Sequence, residues 1–580
     1  MTIALVGTGV SKGVAIGKAR VLRDDDLEVV EYALPLSLVE EEVARFERAL
    51  QSTARQLRAI RDRIPSDTPE DIAAFIDTHL LMLGDSALAT APIEIIRRQR
   101  CNAEWALKLQ QDALVKIFDQ MDDPYLKTRR DDVEHVVKRI QHTLMTEGRG
   151  TEILEARNDV THILLAEDLS PGDILLMHQQ DVAAIVTEHG APMSHTAILA
   201  RGLGIPAVVG LKRARDFIRD GETVIVDGRN GILLADVDPT TIAFYQGEQR
   251  SDRRAQAQLR KLKDRPAVTR DGIAITLRAN IELPDDLNSL KRVGADGVGL
   301  YRTEFLYLNR PVPPDEEGQL RVYRRVIKRL SGAPLTIRTL DLGADKQPGG
   351  GIGTAGPNPA LGLRAVRYCL KELPLFRTQL RAILRASALG PIRLLVPMLT
   401  NLSEVIQVRQ LVEELQRELR HQGVPCAEEI PVGGMVEIPA AALCAEQFAN
   451  HLDFLSIGTN DLIQYTLATD RVDDQVNYLF DPLNPGVLRL IAMTLDAGRR
   501  TGTPVAMCGE MAGDPQYTRL LLGMGLTEFS APPSTLLEVK RIVTESNAAA
   551  LRRKVAPLIE GAASRDLVGA LEALNLESGG

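Results

Sequence analysis

Residues 431–461 read PVGGMVEIPAAALCAEQFANHLDFLSIGTND. The stretch holds two strand-like runs, PVGGMVEI and FLSIGTND, in which small and apolar residues lead to polar ones. Glu437 lies near the end of the first run, and Asn460 and Asp461 close the second. A buried strand that ends in side chains able to bind an ion or a substrate is the unit that repeats along the C-terminal half of the chain.

Six further runs of this kind surround the stretch, and helical patterns such as VYRRVIKRL and EVIQVRQLVEELQRELR lie between several of them. They are AITLRANI (274–281), GVGLYRTE (297–304), LTIRTLD (335–341), IRLLVPML (392–399), PVAMCGE (504–510) and TEFSAP (527–532). Eight strands that alternate with helices over about 250 residues predict a (β/α)8 TIM barrel.

Polar side chains stand at the C-terminal ends of the predicted strands, which is where such barrels carry their chemistry. Strand-end caps and turns would explain any one of these side chains, but they do not explain all of them together. The candidate site residues are Arg302, Arg338, Glu437, Asn460, Asp461 and Cys508.

Glu437 and Asp461 are hard oxygen ligands without a nearby histidine, which favours Mg²⁺ or Mn²⁺ over zinc. The positive groups expected at the same mouth are Arg302, Arg338, Lys346 and Arg471. Together with one divalent ion, these groups would carry about four more positive charges than the two ligand carboxylates balance. A phosphate ester would supply about −1.5 to −2 of the missing negative charge. This balance predicts a small phosphorylated carboxylic acid as substrate.

Cys508 follows the predicted strand PVAM and allows two interpretations. A lone cysteine is most often an ordinary buried thiol. A thiol at the mouth of the barrel could instead give a proton to a carbon next to an enolate, as a general acid whose pKa is tuned by its surroundings.

The N-terminal half predicts two further modules. Residues 1–22 end in a strand that is too short to stand alone, and residues 36–147 are charged, leucine-rich and helical in spacing. Strand-like runs return in THILLAEDLSPGDILLM, DVAAIVTEHG and ETVIVDGRNGILLADVD, so the helices are expected to be inserted into an α/β domain. A charge-dense stretch over about 245–266 predicts a solvated linker.

Residues 188–210, EHGAPMSHTAILARGLGIPAVVG, place His195 directly after Ser194, a plausible helix N-cap. A capped surface histidine would explain the pattern. A nucleophile would explain it too, because unpaired backbone N–H groups at a helix start attract a phosphoryl group and a neutral imidazole can accept one. The residues of this stretch leave both interpretations open.

The composition narrows the classes of function. The chain has 580 residues, a formal net charge of −9 and five scattered cysteines without a C-x-x-C pair. These values predict no affinity for nucleic acid, no disulfide framework and no zinc ribbon. The N-terminal residues show no basic and apolar leader, and no window approaches 18 apolar residues. A cytoplasmic protein without direct membrane insertion is therefore expected.

The chain resembles enzyme I of the phosphoenolpyruvate-dependent sugar phosphotransferase system over nearly its whole length. The motifs that carry the resemblance are MSHTAILARGLGIPAVVG, GVGLYRTEFLYL, IRTLDLGADK, LRAILRAS, MVEIPAA, FLSIGTNDLIQYTLATDR and MCGEMAGDP. The helical segments DTHLLMLGDSAL and DDPYLKTRRDDVEHVVKRI are similar to the module by which enzyme I docks the phosphocarrier protein HPr.

The resemblance implies a multidomain α/β fold. A swivelling phosphohistidine α/β domain would comprise residues 1–22 and 148–240, with an α-helical HPr-binding domain inserted over 23–147. A linker helix would span 241–264, and a phosphoenolpyruvate-binding TIM barrel would span 265–580. Members of the family are homodimers through the barrel, so a homodimer is expected.

The resemblance also implies the reaction. His195 takes the phosphoryl group from phosphoenolpyruvate in the presence of Mg²⁺, or of Mn²⁺, and passes it to a histidine of HPr, while pyruvate is released. The implied roles are Glu437 and Asp461 as metal ligands, Arg302, Arg338, Lys346, Asn460, Asp461 and Arg471 as substrate-binding residues, and Cys508 as proton donor.

The chain departs from the family pattern next to His195. Many members have G-G-R-T-S-H where this chain has Gly190, Ala191, Pro192, Met193, Ser194 and His195. Pro192 therefore replaces an arginine, which removes a possible phosphate or carrier contact, and it fixes φ near −65° in the loop. The glycine-rich segment QPGGGIGTAGPNPALG lacks the G-K-[ST] ending of a P-loop and predicts a loop over the barrel mouth.

Three alternatives remain to be weighed. Pyruvate phosphate dikinase and phosphoenolpyruvate synthase share the histidine domain and the barrel, but they also need a nucleotide-binding domain for which this length leaves no room. The nitrogen-related branch of enzyme I commonly carries an extra N-terminal sensory domain, which this chain does not show. A catalytically inactive binding module is disfavoured because His195, Arg302, Glu437 and Asp461 are all present.

Overall fold

The computed structural model describes residues 2–22, 29–63, 70–119, 124–145, 161–167, 169, 182–190, 197, 200, 204–282, 286–307, 312–342, 358–471, 476–561 and 566–576. The chain divides into two compact units, Met1–Arg254 and Ala255–Gly580.

The first unit contains one mixed sheet, which has eight strands in the described ranges. They are β1 (Ile3–Val6), β2 (Thr8–Ser11), β3 (Val14–Val21), β4 (His162–Ala166), β5 (Val182–Thr187), β6 (Ala207–Val209), β7 (Thr223–Asp227) and β8 (Ile232–Ala235). Their order across the sheet is β1-β8-β7-β3-β4-β5-β6-β2. Strands from both sides of the helical region thus share one sheet, which confirms that the helices are inserted into an α/β fold.

The inserted region is helical, as the spacing of its apolar residues predicts. Its helices are α1 (Val39–Arg63), α2 (Glu70–Gly84), α3 (Ser86–Ala89), α4 (Ala91–Gln99), α5 (Ala103–Asp119) and α6 (Pro124–Met145). Phe46, Leu57, Ile96, Leu107 and Ile140 are buried together in a core of their own. Arg45 on α1 donates to Glu104 on α5 at 2.7 Å, which fastens the two helices to each other.

Two further helices follow in the described residues, the short α7 (Ala214–Phe217) and the longer α8 (Pro239–Arg260). The charge-dense stretch predicted as a linker forms most of α8, which buries none of its residues. The predicted boundaries at 22/23, 147/148, 240/241 and 264/265 stay predictions, while the division between the compact units falls within α8, at 254/255.

The second unit is a closed barrel of parallel strands, eight of them in the part of the chain that the structure describes. The strands are β9 (Thr276–Ile281), β10 (Val298–Tyr301), β11 (Leu335–Arg338), β12 (Ile392–Val396), β13 (Val432–Val436), β14 (Phe454–Ile457), β15 (Val505–Met507) and β16 (Glu528–Ala531). Each lies inside one of the eight predicted runs, and β16 pairs with β9 to close the ring. The predicted TIM barrel is confirmed.

Helices surround this barrel and join its strands. They are α9 (Leu287–Val293), α10 (Glu316–Leu330), α11 (Ala365–Lys371), α12 (Leu373–Ala386), α13 (Leu402–His421), α14 (Pro439–Leu443), α15 (Ala445–Ala449), α16 (Thr459–Leu467), α17 (Pro485–Thr501), α18 (Glu510–Gly513), α19 (Thr518–Met524), α20 (Pro533–Glu545), α21 (Ala548–Glu560) and α22 (Leu567–Leu576). Local sequence sets their ends, as where Asn401 and Glu404 form a capping box that starts α13.

The floor of the barrel, at the N-terminal ends of its strands, is closed by charged side chains. Glu528 accepts from Arg393 at 2.8 Å and lies 2.7 Å from Arg278, so one carboxylate joins three strands across the interior. The Arg393 guanidinium stacks 3.7 Å from the centre of the Phe454 ring. Gly433 makes room for that ring, since a Cβ there would lie 2.4 Å from it. The floor is therefore filled, and the open end lies at the opposite, C-terminal side.

Within the described ranges, no single helix is long and apolar enough to cross a membrane. One bent pair, Ile76–Gly84 with Ser86–Gln99, meets the length and composition criteria when its halves are taken together. Ile76, Leu83, Leu88 and Ile96 of this pair are buried in the core of the helical region.

Candidate active site

The barrel brings Arg302, Arg338, Glu437 and Cys508 to one end, because each lies at or directly after the last residue of a parallel strand. Asp461 reaches the same end from the first turn of α16, which begins two residues after β14. Their charges act on one another: Asp461 and Arg338 both shift the pKa of Glu437, and Glu437, Arg338 and Arg302 all shift that of Cys508. These five residues therefore share one site.

Glu437 is the most deeply buried carboxylate of the site, with 1% of its surface exposed. One of its oxygens accepts from the Met398 backbone N–H at 2.5 Å, and Met398 holds a left-handed φ of 58°. Gly458 lets the chain pass close by, since a Cβ there would lie 2.9 Å from the other oxygen. Burial, with the negative charges of Asp461 and Asp341, raises the pKa of Glu437 to about 8, and Arg338 opposes this. A cation beside Glu437 would stabilise the ionised carboxylate and so lower its pKa.

Arg338 at the end of β11 is held by two carboxylates. Its guanidinium lies 3.0 Å from Glu304 and 3.2 Å from Asp341. Burial alone would lower the pKa of Arg338, but the two carboxylates outweigh it, so the pKa is raised and the charge is permanent. Among the residues that the structure describes, none accepts a hydrogen bond from the buried Nε of Arg338, so this donor is available to a ligand.

Asp341 and Arg364 belong to this cluster, although the sequence patterns did not single them out. The Oδ1 of Asp341 accepts from Arg364 Nε at 3.1 Å and Nη2 at 2.9 Å, while its Oδ2 faces Arg338. Burial would raise the pKa of Asp341, but Arg338 and Arg364 hold it below the ordinary aspartate value of 3.8. One buried carboxylate thus orients two arginines toward the mouth.

Replacing Asp341 with asparagine should leave both guanidiniums with less compensation in a buried place. We expect the variant to lose about 3–5 kcal/mol of unfolding free energy in urea denaturation followed by far-UV circular dichroism. The difference should be full above pH 3.8 and shrink as the pH falls further, because a carboxylate with a lowered pKa stabilises only while it is ionised.

The matched control is Asp496→Asn, which alters an exposed aspartate on α17 whose partner is Arg499. A surface pair of this kind contributes about 0–1 kcal/mol, so the control should unfold almost as the unmodified chain does. Equal losses in the two variants would refute the bridging role of Asp341.

Cys508 lies inside the mouth, with 4% of its surface exposed. Ser456 on β14 donates to its sulfur at 3.3 Å, and the Cys508 carbonyl accepts from Asn280 Nδ2 at 2.9 Å. Burial raises the pKa of the Cys508 thiol, and the Ser456 hydrogen bond partly offsets that rise. The thiol is therefore protonated at neutral pH, which is the state that a proton donor requires.

Asn460 and Arg471 stand at the rim. Asn460 Nδ2 donates to Glu510 Oε1 at 2.8 Å, and its Oδ1 accepts from the Glu510 backbone N–H at 2.9 Å. Arg471 lies 3.8 Å from the same Glu510 carboxylate, and Arg302 is paired with Glu282. The first turn of α16 is thus clamped to that of α18.

The charge balance predicted from the sequence includes a divalent ion and Lys346, which lies outside the described residues, so the surplus itself stays a prediction. It counted two carboxylates, whereas the mouth holds four guanidinium groups and six carboxylates. The guanidiniums belong to Arg302, Arg338, Arg364 and Arg471, and the carboxylates to Glu282, Glu304, Asp341, Glu437, Asp461 and Glu510. Each of these arginines faces a carboxylate of the chain, so the carboxylates that the sequence count left out reduce the predicted surplus.

His195, Lys346 and the departure at Ala191, Pro192 and Met193 lie outside the described residues. The structure does describe what flanks His195. Strand β5 ends at Thr187, and Gly190 holds a left-handed φ of 113°. Ala197 and Ala200 are helical and buried against the sheet, at the i, i+3 spacing of one helix face. A sharp turn followed by a packed helix is what the sequence predicts around His195.

The chain is similar in sequence to known enzymes. Three family models of phosphoenolpyruvate-utilising enzymes match the chain, namely the PEP-binding domain over residues 256–548, the N-terminal domain over 6–129 and the mobile domain over 159–231.

The relatives match along the whole chain. The phosphoenolpyruvate-protein phosphotransferase of Cupriavidus necator is 44% identical, over 99% of this chain and 100% of that protein. The protein of the same name from Bacillus subtilis is 40% identical, over 93% of this chain and 94% of that protein. A solution structure of an Enzyme I protein is 30% identical with a TM-score of 0.38, over 43% of this chain and 99% of that chain.

Proposed function

The chain belongs to the phosphoenolpyruvate-protein phosphotransferases, and from that premise we propose that it takes the phosphoryl group of phosphoenolpyruvate onto His195 and passes it to a histidine of the phosphocarrier protein HPr. Pyruvate is the second product. The observation that carries the proposal is the cluster of Glu437, Asp461, Arg338 and Cys508 at one end of the barrel. The two carboxylates suit a cation, Arg338 suits an anion, and the Cys508 thiol can give a proton.

The substrate-binding groups in this proposal are Arg302, Arg338, Lys346, Asn460, Asp461 and Arg471. Arg338 and Arg302 supply planar forks that suit carboxylate and phosphate oxygens. Their present carboxylate partners keep them charged and oriented, and they exchange part of those contacts for substrate oxygens. Specificity then comes mainly from the fixed directions of the forks, because the described arginines already face carboxylates of the chain.

Glu437 and Asp461 are the residues that would hold Mg²⁺, or Mn²⁺ in its place. Both side chains are oxygen ligands, which suit such an ion. The pKa of Glu437 is raised because burial and nearby negative charges destabilise its ionised form, and a cation would offset both effects. Among the described residues no group of three or more histidine, cysteine or acidic side chains forms a metal cage. Substrate oxygens would therefore complete the coordination, and the ion would supply charge stabilisation on the transferred phosphoryl group.

In this proposal the nucleophile His195 belongs to the first unit of the chain, and Arg338 and Cys508 belong to the second. A ring nitrogen of neutral His195 attacks phosphorus, the bond between phosphorus and the enol oxygen breaks, and the electron pair of that bond leaves with the enolate. Cys508 then gives its proton to C3 of the enolate, which yields pyruvate and a thiolate. Buried Arg338 faces the developing negative charge throughout.

The acceptor decides between two branches of the family. We propose the sugar branch, in a cytoplasmic homodimer that associates through the barrel; the alternative is a regulatory, nitrogen-related relay. The resemblance of the chain's motifs to enzyme I of the sugar system supports this choice by fold analogy alone.

Transfer to purified carriers tests the branch. The protein is labelled with radioactive phosphoenolpyruvate and Mg²⁺, freed of excess substrate, and mixed with each HPr-like carrier from the same genome. We expect the label to pass to the sugar-system carrier at least about tenfold faster than to its nitrogen-related paralogue, a difference of about 1.4 kcal/mol in the transition state. Faster transfer to the nitrogen-related carrier would place the chain in the other branch.

A further inference from the structure

Cys508 is fixed by hydrogen bonds from several strands of the barrel. Its backbone N–H donates to the Ile457 carbonyl at 3.0 Å, and its own carbonyl accepts from Asn280 on β9. The Ser456 hydroxyl donates to the sulfur at 3.3 Å. The Cys508 thiol in turn donates to the Ile457 carbonyl at 3.8 Å, so β9 and β14 hold the backbone, and Ser456 and Ile457 of β14 hold the sulfur.

Ser456 is a polar residue in apolar surroundings. It has 2% of its surface exposed and points into the barrel, where Cys508 packs against Leu300, Leu395 and Met435. A hydroxyl buried in such a place costs free energy unless it is hydrogen-bonded. The bond that Ser456 makes is directed to the sulfur, and a donor directed at sulfur stabilises the thiolate more than the thiol.

We propose that Ser456 is a positioning residue for proton transfer from Cys508: its hydroxyl fixes the sulfur and stabilises the thiolate that forms when C3 of the enolate takes the thiol proton. In that step the S–H bond breaks, a C–H bond forms at C3, and the sulfur keeps the electron pair, so no further reactant is needed. The inference rests on the proposed function, in which Cys508 is the proton donor.

Several charged groups near the Cys508 sulfur also shift the pKa of its thiol, so the hydrogen bond from Ser456 acts together with them. Burial raises the pKa of the Cys508 thiol, and so does the charge of Glu437 on β13. The positive charges of Arg338 and Arg302 lower it, together with the hydrogen bond from Ser456. A thiol that loses this hydrogen bond becomes a weaker acid, so it gives up its proton more slowly and keeps it to higher pH.

The test is Ser456→Ala, with Ser530→Ala as the matched control. Ser530 is equally buried and also points into the barrel, but its hydroxyl donates to Asn280 Oδ1 at 2.6 Å and not to the sulfur. Removal of either oxygen leaves a similar small void. Ser456→Thr keeps the hydroxyl and serves as the conservative variant.

Two rates are measured for each full-length variant across pH 6–11, in samples that are quenched and neutralised before analysis. Formation of keto pyruvate is followed with lactate dehydrogenase, and transfer of label from phosphoenolpyruvate to the protein is followed separately. For Ser456→Ala we expect pyruvate formation about tenfold slower and its alkaline limb about one pH unit higher, the effect of one hydrogen bond to a charged group. Phosphoryl transfer should change by less than about twofold, because it precedes the proton step.

An alkaline limb that does not move in Ser456→Ala overturns the inference, whether or not the rate falls, and so does an equal shift in Ser530→Ala. Recovery of the limb in Ser456→Thr supports it. Failure of the proposed function is a separate outcome, because the unmodified protein would then acquire no label from phosphoenolpyruvate at all.

Discussion

A His195→Ala variant should acquire no label from phosphoenolpyruvate, while the unmodified protein acquires an acid-labile, base-stable one. Alanine has no side-chain nitrogen to accept the phosphoryl group. The described positions Ala197 and Ala200, which follow His195, are buried in an apolar core of their own. The variant should therefore fold normally, which its circular dichroism would show.

His189→Ala is the matched control for this prediction. His189 lies six residues earlier, is largely exposed and has its Nε2 3.5 Å from Glu167 Oε1. Nothing in that setting presents the ring to a phosphoryl group, so this variant should label at close to the full rate. Loss of label in His189→Ala, with retention in His195→Ala, would reverse the assignment.

Glu437→Gln should slow phosphoryl transfer from phosphoenolpyruvate by about 10³-fold, which corresponds to about 4 kcal/mol of lost charge stabilisation. The amide keeps the shape of the side chain and can still accept from the Met398 N–H, so the fold should survive. What disappears is the negative charge that Glu437 and Asp461 together offer to a divalent ion.

Two measurements separate this cause from damage to the barrel. Mn²⁺ binding, followed by electron paramagnetic resonance in the presence of phosphoenolpyruvate, should weaken in Glu437→Gln. Glu413→Gln, which alters an exposed side chain on α13, should change neither binding nor rate. Full activity of Glu437→Gln would exclude Glu437 as a metal ligand.

The barrel could be predicted from the sequence because its signals are local. Each strand is a short apolar run bounded by polar residues, and β13 and β14 follow the pattern of residues 431–461. The inserted helices could be predicted for the same reason, since their apolar spacing contrasts with the β-runs on either side. How the strands pair across the insertion depends on contacts between distant residues, which only the structure supplies.

Arg302, Arg338, Glu437 and Cys508 stand out in the sequence because each ends a strand or directly follows one. Asp341 stands three residues beyond β11, and Arg364 lies in the approach to α11, so neither lies at a strand end. Their ion pair can be recognised only in the folded chain, where two residues 23 positions apart in sequence lie 2.9 Å from each other. The sequence patterns did not indicate Ser456 or Asn280. A neutral polar residue inside a strand looks the same as the ordinary alternation of polar and apolar residues.

The predicted charge balance left out carboxylates at the mouth for a related reason. A count over motif residues includes the arginines, which stand out, and omits carboxylates such as Glu282 and Glu304 that pair with them. Buried guanidiniums need such partners. Their carboxylates are therefore part of any arginine-rich site and belong in its charge balance from the start.

The most direct test of the account is the position of the phosphoryl group in the unmodified protein. After incubation with radioactive phosphoenolpyruvate and Mg²⁺, the protein is digested at alkaline pH, where phosphohistidine survives, and the labelled peptide is identified by mass spectrometry. The account predicts a single major site at His195. Label at His189 or at any other residue, with His195 unmodified, would contradict it.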